Sequence, residues 1–225
     1  MSSKAKINNM SIALFWLAAL LFAASPSNTY GFEVFSVFNK NFLSKRHITT
    51  PARADNTSST KIDPDNLDQE MLAELIRQKV NAFRKTKKLA PLANDPILSK
   101  AAIDQCDYVT QKGSLSHEQT PGPKHTVLDR IKYYEGAYYL VGENLIYHGF
   151  KHRVTDTGNR QFETIIYPTY DEAADQIVKG WIKSKPHLAN LVEPNYKYVG
   201  THVEYSAKKG GLFSAQVFAG IKKPQ

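Results

Sequence analysis

A three-layer α+β fold, with helices on both faces of a central antiparallel sheet, follows from three features of this 225-residue sequence. Helical periodicity marks two segments in the first half of the expected core and one in the second. A β-rich pair joined by a glycine turn lies close to the C-terminus. No internal repeat points to a solenoid or an array.

The first helix is predicted from Leu67 to Lys87, where Leu67, Met71, Leu75, Ile76, Val80 and Phe83 recur at helical spacing with charges between them. The second opens at Asp95-Pro96, a capping carboxylate followed by a proline in the first turn, and stops at Gly113. The third runs from about Asp171 to Lys183, with Ala174, Ile177, Val178 and Trp181 on one side. Thr169 and Glu172 are spaced for a reciprocal capping box at its start. Ser184-Lys185-Pro186 breaks that helix, and a short new turn, His187 to Leu191, follows.

Tyr198 to Tyr205 alternates, placing Val199, Thr201, Val203 and Tyr205 on one face of a strand. Lys208-Lys209-Gly210-Gly211 turns the chain into a second strand, Leu212 to Ala219. Phe162 to Tyr167 is a third strand candidate, ended by Pro168.

Upstream of these elements the pattern changes. Lys4 and Lys6 precede an uncharged apolar run, Ser11 to Ala24, and small residues follow at Ser25 and Ser27. That order reads as an export signal, too short for a comfortable membrane span. The expected organisation is an export signal over 1–27, a flexible linker over 28–65 and one domain over 66–221. The expected location is outside the cytoplasm, extracellular or periplasmic, with no transmembrane helix in the mature chain.

Formal charge is +8, falling to +6 once Lys4 and Lys6 leave with the signal. No basic run interleaved with aromatics accompanies it, so no nucleic-acid partner is expected. The single cysteine, Cys106, excludes an internal disulfide. It shares a helical face with Leu98, Ala102 and Val109 and reads as a buried, inert thiol. Tyr133, Tyr134, Tyr138, Tyr139 and Tyr147 are expected mainly in core packing.

Three residues carry the chemistry. His117 follows a glycine-ended helix and sits on a loop, where side chains can face a cleft; taken alone it is an ordinary surface residue. Glu143 lies between Gly142 and Asn144 inside an apolar stretch, and a buried carboxylate needs a partner. Its simpler role is to pin a loop by accepting backbone N–H bonds. His187 begins a helical turn, where the dipole disfavours the protonated imidazole; its simpler role is a polar cap.

In order, these blocks resemble the CAP superfamily (cysteine-rich secretory, antigen 5 and pathogenesis-related-1 proteins; SCP domain) in its disulfide-free bacterial form. The matches are Ser116-His117; Gly122, Arg130 and Gly136; Gly142-Glu143-Asn144-Leu145; Trp181 with Ser184-Lys185-Pro186-His187 and Asn190; Tyr198-Val199-Gly200; and Ala215-Gln216-Val217-Phe218. The resemblance implies an α–β–α sandwich with a central cleft lined by two His and two Glu, whose imidazoles hold a divalent cation such as zinc in some members. His117 and His187 match the histidines, and are the metal candidates; Glu143 matches the first Glu. The place of the second is Ser184.

The implied function is a non-enzymatic extracellular binding module for a small apolar ligand, a lipid among them, or for an envelope or other-cell target. The alternative is a zinc-assisted hydrolase or peptidase, with His117, Glu143 and His187 as its catalytic residues. The missing second Glu and the absence of an HExxH helix favour the binding module. His148 and His152, in the long excursion between Leu145 and Thr169, read as solvated residues.

Overall fold

The structure is a computed structural model that describes residues 57–221. The expected export signal and most of the linker lie outside the described residues.

Helix α1 (Gln69–Thr86) starts at Asp68, whose side chain accepts from the Met71 amide. Its buried face carries Leu72, Ile76 and Val80. The short strand β1 (Ala93–Asn94) leads into α2 (Pro96–Lys112). There the expected punctuation is in place. Asp95 accepts from the Ile97 and Leu98 amides, Pro96 occupies the first turn, and Gly113 ends the helix in the left-handed region at φ 73°. Helix α3 (Val127–Tyr133), which no sequence signal announced, opens with a capping box between Thr126 and Asp129.

Strands β2 (Val141–Gly149), β3 (Lys151–Thr155) and β4 (Gln161–Ile165) follow. Helix α4 (Tyr170–Lys183) begins with the Thr169–Glu172 capping box, and α5 (Lys185–Leu191) follows Ser184 directly. Strands β5 (Tyr198–Ser206) and β6 (Gly211–Ala219) form the closing hairpin.

The main sheet has the order β1-β5-β6-β2, and β3-β4 is a separate two-stranded ribbon. All pairings are antiparallel except β1 with β5, so the sheet is mixed by one two-residue strand. The sheet is central because β6 is buried along its whole length. Its alternate residues feed two cores: Leu212 and Phe218 join the layer of α1, α4 and α5, while Phe213, Ala215, Val217 and Ala219 join α2 and α3. This is the three-layer sandwich.

Two close approaches fix the layers. A Cβ on Gly200 would stand 2.1 Å from the Leu98 carbonyl carbon, so only glycine lets α2 lie on β5 there. A Cβ on Gly180 would meet Ile146 Cδ1 at 2.4 Å, which sets α4 against β2. Arg84, fully buried, ties the end of α1 to the chain after α5 by donating to the Ala90, Leu191 and Glu193 carbonyls.

Candidate functional site

Strand β2 is the outer strand of the main sheet, and its alternation sends neighbouring side chains to opposite faces. Glu143 and Leu145 point toward the α2–α3 layer, and Asn144 points toward α5. The GEN block is therefore a piece of edge strand reaching into both layers at once. Its glycine is required by proximity, because a Cβ on Gly142 would lie 2.2 Å from the Tyr196 hydroxyl and 2.9 Å from Asn190 Oδ1.

The Glu143 side chain is 3% exposed and fully engaged. Oε2 accepts from Arg130 Nη2 at 2.5 Å, and Oε1 lies 2.9 Å from His117 Nδ1. A carboxylate paired with a guanidinium accepts from both neighbours, so Nδ1 of His117 carries the proton and Nε2 is left facing away from the pair. Arg130 comes from α3 and is completely buried. Besides Glu143 it donates to the carbonyls of His117, Lys124 and His125. One guanidinium thus holds the loop that carries His117, and at the same time neutralises the carboxylate that aims it.

The remaining loop contacts serve the same end. Gln105 on α2 donates to the Ser116 carbonyl, and Gln119 bonds Gln105 Oε1 at 3.1 Å. His125 Nδ1 sits 2.6 Å from the Gln119 carbonyl.

On the other side, α5 is pinned to β2 through amides. Asn144 Nδ2 donates to the His187 carbonyl at 3.1 Å, and Asn190 Nδ2 donates to Asn144 Oδ1 at 2.8 Å and to the Glu143 carbonyl at 3.2 Å. His187 is half-buried, and its Nδ1 is buried with no hydrogen-bond partner among the described residues. Burial lowers the His187 pKa, and the charge of His117 lowers it further. Desolvation thus joins the helix terminus read from the sequence in disfavouring a protonated His187.

His117 moves the opposite way. The hydrogen bond to Glu143 raises its pKa above the ordinary 6.5, with burial and Arg130 opposing. Its side chain is 62% exposed, against 3% for Glu143. The two imidazoles are thus shifted in opposite directions from the ordinary value.

The structure brings His117 and Glu143 into direct contact, and it carries His187 on a helix that Asn144 and Asn190 tie to the same strand β2. The sequence named Arg130, Asn144 and Asn190 only as parts of a pattern; their tethering roles rest on partners 13 to 47 positions away. Ser184 makes no side-chain capping bond at α5. His148 differs from its expected solvated state: it lies on β2, half-buried, with its ring 5.8 Å from that of Phe150, and burial lowers its pKa. His152 is exposed, as expected. Cys106 is buried, and burial pushes its thiol well up.

Fold and site geometry together define an α–β–α sandwich whose edge strand β2 bears the Arg130–Glu143–His117 contacts on one face and holds the helix of His187 on the other. The profile of the cysteine-rich secretory protein family, CAP, matches residues 77–218, and the chain belongs to that family.

It is 27% identical over 153 residues to the uncharacterised YkwD protein of Bacillus subtilis (strain 168), a match that covers 67% of this chain and 48% of YkwD. The chain thus spans about half the length of that curated relative. Among solved structures it is similar to an extracellular protein containing a SCP domain from Bacillus anthracis str. Ames, with TM-score 0.52 and 21% identity over 72% of this chain and 45% of that one. It is also similar to an outer surface protein of Borrelia burgdorferi, with TM-score 0.52 and 18% identity over 73% of this chain and 99% of that one. Both likenesses bear on the fold. Among the described residues no helix is long and apolar enough to cross a membrane.

Proposed function

We propose that this chain is an exported binding module that works without turnover, and that the cleft at the edge of β2 takes its ligand between His117 and His187. The observation that carries the reading is the relay Arg130–Glu143–His117, whose buried arginine and carboxylate hold a largely exposed imidazole. To the same strand are tied α5 and its His187, with Nδ1 buried and unpartnered among the described residues. A carboxylate holding one imidazole nitrogen so that the other is free is the arrangement that orients histidine ligands toward a cation. The residues fit a divalent cation of the zinc class held by two imidazoles. Such an ion would act as a Lewis acid, a bridge to whatever anionic or hydroxyl-bearing partner enters the cleft.

Glu143 itself is engaged at both oxygens, by Arg130 and by His117. The hydrolase reading needs that carboxylate to take a proton from water, and its position favours orientation over proton transfer. The extracellular and outer-surface descriptions of the Bacillus anthracis and Borrelia burgdorferi proteins are in keeping with an exported module.

Zinc titration by calorimetry on the full chain tests the cleft. Wild type should take up an equivalent that the His117→Ala/His187→Ala variant loses. An uptake unchanged by the double substitution contradicts the proposal, and zinc-dependent peptide hydrolysis lost in Glu143→Gln would replace it with the enzyme reading.

A further inference from the structure

Among the described residues, the edge of β5 away from β6 lacks a strand partner along most of its length, because β1 pairs with it only at Tyr198 and Val199. From Gly200 onward its free edge runs between α1 and α2, along a groove of about 540 Å³ whose lining includes Gln69, Glu70, Lys100, Ile103, Thr201 and His202. The residues of β5 that face the first core are Val199 and Val203. Their alternates, His202 and Glu204, project together from the other face, as a spacing of two on a strand requires. Asp107, on α2, meets them there.

The donor atoms of Asp107, His202 and Glu204 all lie within 4.8 Å of one another. Among the described residues this is the three-donor cluster that could hold a metal ion, and it stands apart from the His117–His187 cleft, on different elements. His202 Nε2 is 3.4 Å from Glu204 Oε2. That is longer than an ordinary N–H···O hydrogen bond, about 2.7–3.2 Å. It equals the edge of a tetrahedron whose metal–ligand bonds are about 2.1 Å, the length zinc makes to imidazole and carboxylate.

The surroundings supply the rest of a ligand shell. Gln69 Nε2, at the start of α1, donates to Glu204 Oε2 and fixes the carboxylate from the opposite helix. The side chains are partly accessible, 14% for His202 and 32% for Glu204, so an ion has a way in. Cys106, one residue before Asp107, is the nearby soft donor, but its Sγ is buried and bonded to the Phe213 carbonyl at 3.2 Å. It is turned toward the sheet and stays out of the cluster.

We infer that Asp107, His202 and Glu204 form a second divalent-cation site, separate from the cleft, that joins α2 to the free edge of β5. One imidazole and two carboxylates are a mixed nitrogen–oxygen set, suited to zinc, cobalt or manganese in preference to copper(I) or another thiophilic ion. With three protein ligands, the fourth position of a tetrahedral ion opens to the groove. The site accounts for two acidic side chains converging on one histidine across two layers of the fold.

The test uses the full chain carrying His117→Ala/His187→Ala, so that the cleft contributes nothing. Zinc calorimetry and the visible absorption of added cobalt(II) read the remaining site. The expected result is one retained equivalent with a tetrahedral cobalt spectrum, weakened roughly 100-fold or more by His202→Gln/Glu204→Gln, since loss of ligands costs at least as much as loss of the groups that orient them. Gln at position 204 keeps an acceptor for Gln69. Asp107→Asn alone, checked by circular dichroism, should abolish the cobalt bands in a folded chain. No retained equivalent, or one indifferent to these substitutions, overturns the site. Failure of the cleft proposal looks different: there the His117→Ala/His187→Ala substitution changes nothing.

Discussion

At the residue scale, the decisive group is Arg130, an unbroken column of methylenes and guanidinium with no exposed surface. It satisfies Glu143 and three backbone carbonyls, and a charge so placed is tolerable only while its partners remain. Arg130→Met keeps the volume but strands Glu143 with His117 as its remaining partner. The variant should lose about 3–5 kcal/mol, the usual cost of removing one member of a buried ion pair. Urea denaturation at neutral pH measures it; a loss under about 1 kcal/mol would mean that Arg130 is not what holds the His117 loop. Glu143, His117 and His187 were legible in the sequence because unusual residue types stand in unusual settings, a carboxylate among aliphatics and histidines beside helix breaks. Arg130 was not, since an arginine in Asp129-Arg130-Ile131-Lys132 looks like any solvated charge until the strand it faces is known. His202 and Glu204 were half legible: the alternation that put Val199 and Val203 inward already put these two on one opposite face.

At the scale of elements, local chemistry and the closing hairpin read correctly, while β2 and α3 did not show as elements. The Asp95 cap, the stop at Gly113 and the Thr169–Glu172 box are each contained within a few residues, so they were visible without tertiary context. Strand β2 was missed as a strand because its polar run, Gly142-Glu143-Asn144, serves the site and interrupts the apolar alternation. Helix α3 spans seven residues, too few to establish a period. The Tyr cluster, expected mainly as core, is divided: Tyr138 is buried, while Tyr133 and Tyr139 are exposed. The site depends on one element contact above others, the approach of α5 to β2 over Gly142. Gly142→Ala would drive a methyl into the Tyr196 hydroxyl and Asn190, displacing the amides that hold His187. A loss of about 1–3 kcal/mol is expected from overpacking, with zinc uptake in the cleft weakened as well. Unaltered thermal midpoint and unaltered uptake would contradict the contact.

At the scale of the whole molecule, the proposed cleft draws on two separate layers, and its two histidines report on it through pH. His117, raised, adds stability that is complete below its unfolded value of 6.5 and is lost as pH climbs through the raised folded value. His187, lowered, adds stability that is complete above 6.5 and is lost as pH falls through the depressed folded value. Their windows lie on either side of 6.5, so together they place a local maximum of stability there. His117→Ala should remove the loss on the alkaline side, and His187→Ala the loss on the acid side. The most direct measurement is the NMR titration of the imidazole resonances in wild type and in His117→Ala. The account predicts that His117 titrates above 6.5, that His187 titrates below it, and that His187 moves back toward 6.5 once residue 117 is alanine. Two histidines titrating independently at the ordinary value, with His187 unmoved by the substitution, would show that the layers do not bring them together.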